Sequence, residues 1–151
     1  MRAKFDQGAY RPLIEVTLTM EGVSQQLWMM LDTGADTTTI DPDVAKALTG
    51  LDFDDLGVPG PGIRGMGDPD APEIPSRIAD AEIGYLGRTI SMKLWVAPTP
   101  YPVLGRSDFM RRFHCCFYWD RQPPEFSVVA APTGKAGPRP TNPTIKPKKK
   151  H

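Results

Sequence analysis

The feature that most constrains this chain is an apolar run that ends abruptly in an acid. Residues 27–31 read Leu-Trp-Met-Met-Leu, and Asp32, Thr33 and Gly34 follow directly. An apolar run of this length bounded by a turn is typical of a buried strand, and glycine allows a tight turn after it. A carboxylate is costly to bury unless it is paired. The pattern therefore indicates a functional acid, with an ordinary strand-end turn as the alternative interpretation.

The rest of the chain predicts a mainly β fold in one domain. Its 151 residues include 14 glycines and 17 prolines, a composition that favours short strands joined by turns over a helical bundle. Alternating or continuous apolar patterns predict further strands at 14–20, 78–83, 90–96, 113–120 and 126–130. Glu21-Gly22 is a plausible tight turn, so the first two strands are expected to form a hairpin.

One or two short helices complete the prediction. Asp41-Pro42-Asp43 has an acidic cap, a proline at the first helical position and a second acid in the first turn, and Gly50 follows as a stop signal. A second short helix is expected after Arg106, with Phe109, Met110 and Phe113 facing the core.

Two motifs resemble those of the retroviral-type aspartic proteases, the retropepsins. Residues 31–36 read Leu-Asp-Thr-Gly-Ala-Asp, which is similar to the family's active-site motif. Residues 103–106 read Val-Leu-Gly-Arg before the second helix, which resembles the family's second signature. The resemblance extends over residues 13–129 and implies a retropepsin-like closed β-barrel, the acid protease half-fold. In the retroviral pattern an acid or amide directly follows the arginine, whereas here Ser107 separates Arg106 from Asp108.

A segment rich in glycine and proline lies between the two motifs. Residues 57–75 place a glycine every second or third residue near the centre, with Ile63 and Met66 between them. By the resemblance this is the flap, a hairpin that closes over a bound peptide; a long surface loop is the alternative. It does not resemble a phosphate-binding loop, because no Gly-Lys-Ser/Thr closes it.

The resemblance also assigns roles to individual residues. Asp32, Thr33 and Gly34 would form the catalytic turn, and Arg106 would pair with Asp36 and hold that turn in place. The substrate-binding residues would be Ala35, Asp36, Ile63, Met66, Val103 and Leu104, with Ile40 as a further pocket wall and apolar side chains preferred near the cut. Because the chain contains a single Asp-Thr-Gly, the second carboxylate must come from a second molecule, and a homodimer is expected.

The sequence contains few residues that could support another kind of catalysis, such as a histidine-activated nucleophile or a metal site. The histidines are His114, in an apolar strand, and His151, in the C-terminal tail. His114, Cys115 and Cys116 are consecutive, so their side chains would diverge along a strand and do not form a zinc pattern. We expect neither a metal nor a cofactor.

Charge and segment composition bear on partners and location. Lys plus Arg and Asp plus Glu each total 18, so no nucleic-acid partner is expected. Residues 132–151 are rich in proline and lysine and are predicted to be a disordered tail outside the protease domain at 1–131. No signal-peptide core or membrane span is evident, and the adjacent cysteines suit a reducing compartment, so a cytoplasmic location is expected.

The sequence thus predicts an aspartic endopeptidase that hydrolyses peptide bonds in a homodimer. The main alternative is a catalytically silent peptide-binding or assembly module on the same fold. A strand-rich nucleic-acid-binding module that uses the basic tail, and a protease that awaits a trigger such as processing, are further alternatives.

Overall fold

The computed structural model describes residues 3–5, 10–63 and 70–131. The predicted flap centre with Met66, and the predicted tail at 132–151, lie outside the described residues. The strands are β1 (Ala3–Phe5), β2 (Pro12–Met20), β3 (Val23–Leu31), β4 (Thr39–Ile40), β5 (Val58–Pro59), β6 (Arg77–Tyr85), β7 (Arg88–Val96), β8 (Val103–Leu104), β9 (Phe113–Tyr118) and β10 (Glu125–Ala130). The helical elements are α1 (Pro42–Thr49), a 3₁₀ turn (Phe53–Asp55) and a π-helical turn (Arg106–Met110).

The main sheet closes on itself, as the sequence predicted for a β-barrel. Its strand order is β1-β2-β3-β8-β4-β7-β6-β5, and an additional antiparallel pairing between β2 and β6 completes the ring. Two short parallel pairings, β3 with β8 and β4 with β7, bring distant parts of the chain together. The first of these pairings places residues 103–104 beside the end of β3, directly before Asp32.

Local sequence signals account for the first hairpin and for α1. Glu21 and Gly22 both have positive φ, at 48° and 76°, and they join β2 to β3 as a tight turn. The Asp41 side chain accepts a hydrogen bond from the Asp43 N–H at 2.9 Å and caps α1. Gly50 ends the helix with a φ of 75° in the left-handed region, where glycine carries no Cβ penalty. Both predictions are therefore confirmed.

The described part of the predicted flap is the stem of a hairpin. β5 pairs antiparallel with the start of β6, and Ile63 exchanges two backbone hydrogen bonds with Ile74, each at 2.9 Å. The Ser76 hydroxyl donates to the Pro61 carbonyl at 2.7 Å inside this stem. Residues 57–63 and 74–78 thus run side by side, which fits the predicted flap and its alternative of a surface loop.

The core lies inside the ring and is completed by the π-helical turn. The inward residues of β2, β6 and β7 are buried and alternate with outward ones. Phe109 is fully buried and stacks on Phe113, with ring centroids 4.6 Å apart, and Tyr85 meets Phe113 edge-on at 5.4 Å. Met110 is only partly buried, so it forms the outer margin of the predicted apolar stripe.

Strands β9 and β10 form a separate two-stranded sheet. They pair antiparallel from Phe113–Ala130 to Tyr118–Glu125, and Phe117 stacks on Phe126 with ring centroids 6.2 Å apart. Trp119 and Val129 are more than half exposed. None of the described helices is both long and apolar enough to cross a membrane.

The two adjacent cysteines lie on opposite faces of β9, as predicted. Cys116 is exposed, whereas Cys115 is half-buried, and burial, with a smaller contribution from Cys116, raises the pKa of the Cys115 thiol. Because the thiolate is the reactive form, iodoacetamide should alkylate Cys116 faster than Cys115, by roughly tenfold. Mass spectrometry of timed digests at mildly alkaline pH measures both rates, and equal rates would contradict the prediction.

Candidate active site

Asp32 is the first residue of a turn that two backbone hydrogen bonds hold in place. The Asp32 N–H donates to the Leu104 carbonyl on β8 at 3.2 Å, and the Ala35 N–H donates to the Asp32 carbonyl at 3.2 Å. The buried residues Met29 and Leu31 anchor the strand before it. The acid is therefore fixed by the core on one side while the turn itself faces outward.

The Asp32 carboxylate is half-exposed in the single chain, and Thr33 and Gly34 are exposed. The Gly34 N–H donates to Asp32 Oδ1 at 2.8 Å, which orients the carboxylate. A Cβ at position 34 would lie 3.2 Å from the same oxygen, so glycine gives the carboxylate room. Asp32 is only partly buried in the single chain, so its carboxylate is not fully removed from water.

Arg106 pairs with Asp36, as the resemblance implied. Arg106 Nη2 donates to Asp36 Oδ1, and both side chains are more than half exposed. The backbone reinforces the contact, because the N–H groups of Arg106 and Ser107 donate to the carbonyls of Ala35 and Asp36 at 3.0 Å and 2.9 Å. An exposed ion pair contributes little stability by itself, so the backbone bonds are the stronger link between the two motifs.

A buried polar network behind the turn was not anticipated from the sequence. Thr38 is fully buried, and its N–H and hydroxyl donate to the two carboxylate oxygens of Asp108 at 3.0 Å and 2.6 Å. The Gly105 N–H donates to the Thr38 hydroxyl at 3.0 Å, and the Phe109 N–H donates to Asp108 at 2.6 Å. Among the described residues, no buried side-chain polar atom is left without a partner.

The π-helical turn explains how Asp108 reaches this network although Ser107 intervenes. The Met110 N–H donates to the Gly105 carbonyl at 3.1 Å, five residues back. A π turn holds one more residue than an α turn, and such turns are frequent at functional sites. The π-helical turn therefore accommodates the additional residue, Ser107, and both Arg106 and Asp108 contact the loop that carries Asp32.

The predicted substrate-binding residues fall into two groups. Ala35 and Ile63 are half-buried and have accessible surface. Val103 is nearly buried, and the side chains of Leu104 and Ile40 are fully enclosed by the core. Leu104 and Ile40 are inward residues of the ring, and their role in binding a substrate stays a prediction. Met66 lies outside the described residues.

The network leads to a stability prediction for Asp108→Asn. The amide keeps the shape of the side chain but replaces one accepting oxygen with a donor that faces the Thr38 N–H or hydroxyl. Loss of a hydrogen bond to a charged, part-buried acceptor should lower the free energy of unfolding by about 1.5–3 kcal/mol. Urea denaturation measures this value.

Asp80→Asn is the matched control, because Asp80 pairs with Lys93 on the exposed surface at 2.6 Å. That change should cost less than about 1 kcal/mol. Equal effects of the two substitutions would show that the buried network does not stabilise the site loop.

Comparison with known proteins agrees with this geometry. An aspartyl protease family model matches residues 16–107, which span the Asp32 turn and Arg106. Among solved structures, the chain is similar to EIAV protease complexed with the inhibitor HBY-793, with 27% sequence identity and a TM-score of 0.52, over 67% of this chain and 86% of that one. A search of curated proteins finds no match.

The family match covers most of the chain and both motifs, and the fold that carries them is that of a retroviral protease. The chain belongs to the aspartyl protease family.

Proposed function

We propose that the protein is an aspartic endopeptidase whose active site forms between two copies of the chain. The observation that carries the proposal is the Asp32 turn: a single, half-exposed carboxylate, oriented by the Gly34 N–H and braced by the core, in a chain of this family. The chain has one Asp-Thr-Gly, so each copy supplies half of a carboxylate pair.

Two carboxylates in contact cannot both ionise easily, so the pair retains one proton. The ionised Asp32 would accept a proton from a water molecule, which attacks the carbonyl carbon of the peptide bond. The protonated Asp32 of the other copy would donate to the carbonyl oxygen as the carbon becomes tetrahedral. The Asp32 that took the water's proton then passes it to the leaving nitrogen as the carbon–nitrogen bond breaks. The other Asp32 takes a proton back from a hydroxyl on the tetrahedral carbon, which becomes the new carboxyl group, so the pair again holds one proton. Every proton is accounted for within the pair and the water.

The separate sheet of β9 and β10 supports an association of two copies. One face of this sheet packs on the core through Cys115, Phe126 and Val128, but an edge strand without a neighbour readily accepts another strand. The described residues add no third strand to this sheet; Val129 is exposed on β10, and Trp119 is exposed just after β9. A symmetric contact between the β10 strands of two copies would extend the sheet and cover these side chains.

The flap stem supports an extended peptide as the substrate. Ile63 and Ile74 form a hydrogen-bonded antiparallel pair at the far end of the β5–β6 pairing. A hairpin that folds over the Asp32 turn would add strand-like hydrogen bonds to a bound peptide, and half-buried Ile63 and Ala35 would contact its apolar side chains.

Subunit mixing tests the proposal. Wild-type protein is mixed with increasing amounts of Asp32→Asn protein at constant total concentration, subunits are allowed to exchange, and cleavage of a peptide library is measured. If each active site needs Asp32 from both copies, an equal mixture should retain about a quarter of the wild-type rate, since mixed dimers are inactive.

A linear decline to one half would contradict a shared site, because each chain would then act alone. Cleavage that survives in pure Asp32→Asn protein would exclude Asp32 as the catalytic acid. A stable dimer that cleaves no peptide with or without Asp32 would favour the silent peptide-binding module on the same fold.

A further inference from the structure

The outer edge of β7 is unpaired over most of its length in the described structure. β7 pairs with β6 from Arg88 to Val96, but on its other side β4 pairs only with Trp95 and Val96. Residues 88–94 therefore have a strand neighbour on one side only among the described residues. Protein edges of this kind are usually covered, shortened or twisted away, because they accept additional strands.

The polar backbone groups of this edge face outward. The Trp95 N–H donates to the Thr38 carbonyl, and the Ala97 N–H donates to the Ile40 carbonyl, each at 3.0 Å, so these groups point away from β6. Backbone groups alternate in direction along an antiparallel strand. The N–H and C=O groups of Thr89, Ser91 and Lys93 therefore point to the same outer side, where no described backbone group pairs with them.

Two adjoining surface clefts of about 520 Å³ and 510 Å³ follow this edge. Both are lined by Ser91 and Arg112; the first reaches Thr37, two residues before β4, and the second reaches Arg88. Together they form a continuous groove, which we call the β7 groove, between the edge and the chain that follows the π-helical turn. Asp32 lines neither cleft, so the groove is distinct from the candidate active site.

The charge of the β7 groove is positive. Arg88, Arg111 and Arg112 line it, and none of the three has an acidic partner among the described residues. The one lining acid, Asp108, is already occupied by the N–H and hydroxyl of Thr38.

The acids near β7 do not neutralise the arginines of the β7 groove, because they lie on the other side of the strand. Lys93 pairs with Asp80 at 2.6 Å, and the Ser91 hydroxyl contacts Glu82 at 3.4 Å. Both acids belong to β6, on the far side of β7 from the free edge. The groove thus combines unpaired backbone groups with arginines that carboxylates could pair with.

We infer that the β7 groove binds an extended acidic peptide segment as an additional strand. Main-chain hydrogen bonds to Thr89, Ser91 and Lys93 hold the segment in register, and alternate acidic side chains pair with Arg111 and Arg112. This binding goes beyond the proposed hydrolysis and does not depend on it, because no residue of the Asp32 turn takes part. In a protease such a site would recruit a substrate or a regulator through a segment remote from the cut.

The test uses the full-length chain carrying Asp32→Asn, so that the probe is not cleaved. The probe is a fluorescein-labelled peptide of alternating glutamate and threonine, about eight residues long, enough to span the free edge. Fluorescence anisotropy at low salt should show saturable binding. Arg111→Glu should weaken it by about tenfold or more, since a charge-assisted pair becomes a repulsion.

Matched controls separate this site from general charge attraction. Lys46→Glu makes the same change of charge at an exposed position that pairs with Asp52, away from the groove, and should leave the affinity within about twofold. The same peptide N-methylated at alternate residues keeps its charge but loses its strand donors, and should bind at least about tenfold more weakly.

Three outcomes of the binding measurements would overturn the inference. They are the absence of saturable binding, equal binding of the N-methylated peptide, and an affinity that Arg111→Glu does not change. Hydrogen exchange gives an independent reading, because the peptide should slow exchange at the amides of Thr89, Ser91 and Lys93. If exchange at these amides instead slows with rising protein concentration and is unchanged by the peptide, the edge pairs with a second copy of the chain. That result would also overturn the inference.

Discussion

Asp32→Asn is expected to lower kcat/KM for peptide hydrolysis by about 10²–10⁴-fold, the range supplied by a positioned general acid or base. An amide cannot accept the proton of the attacking water or hold the proton that the carboxylate pair shares. The carbonyl oxygen of asparagine can still accept from the Gly34 N–H, which donates to Asp32 Oδ1 at 2.8 Å. The turn should therefore keep its shape, and the loss should appear in kcat rather than in the folded fraction.

The measurement is a progress curve for a cleaved library peptide, run beside circular dichroism and sedimentation of the same samples. Asp54→Asn serves as the control, because Asp54 is exposed on the 3₁₀ turn and should keep the wild-type rate. Activity of Asp32→Asn within a few-fold of wild type, with fold and association unchanged, would refute the role assigned to this carboxylate.

Gly105→Ala is expected to destabilise the protein more than any other small substitution near the site. A Cβ at position 105 would lie 2.3 Å from the carbonyl carbon of Thr37 and 2.7 Å from its Cα and N. These are backbone atoms, which cannot rotate away as a side chain would, and Thr37 adjoins the buried Thr38. We expect a loss of about 3 kcal/mol or more in the free energy of unfolding, at the upper end of the range for overpacking.

Gly84→Ala provides the matched control, because a Cβ there would meet Thr17 at an ordinary contact distance of 3.5 Å. It should cost no more than about 1 kcal/mol. Urea denaturation of both variants, with peptide cleavage measured in parallel, separates the two. A Gly105→Ala protein as stable as Gly84→Ala would show that the loop of Thr37 moves freely, contrary to the packing described.

Local signals in the sequence were sufficient for the first hairpin, α1 and the Asp32 turn. Alternation along β2, the positive-φ turn at Glu21-Gly22 and the capping acid Asp41 act within a few residues, so they can be interpreted without knowledge of the fold. The pairing of Arg106 with Asp36 came from the family resemblance, because no local pattern relates residues so far apart.

The remaining features depend on contacts that no periodicity encodes. β4 and β8 have two residues each, too few to show a repeating pattern, yet their parallel pairings close the barrel. The role of Thr38 was missed for the same reason. Three consecutive threonines before a helix, with an acid two positions after the arginine, were the signal that could have suggested it. The full burial of Leu104 could not be predicted either, because two aliphatic residues in a row show no periodicity.

The buried network also sets a time order on the maturation of this enzyme. Thr38 and Asp108 are separated by 70 positions, as are Asp36 and Arg106. A chain emerging from the ribosome therefore presents Asp32 well before the residues that brace its turn have been made. Nascent chains and fragments ending before β8 would carry Asp32 without its support, so under the proposed function they would be inactive until the fold is complete.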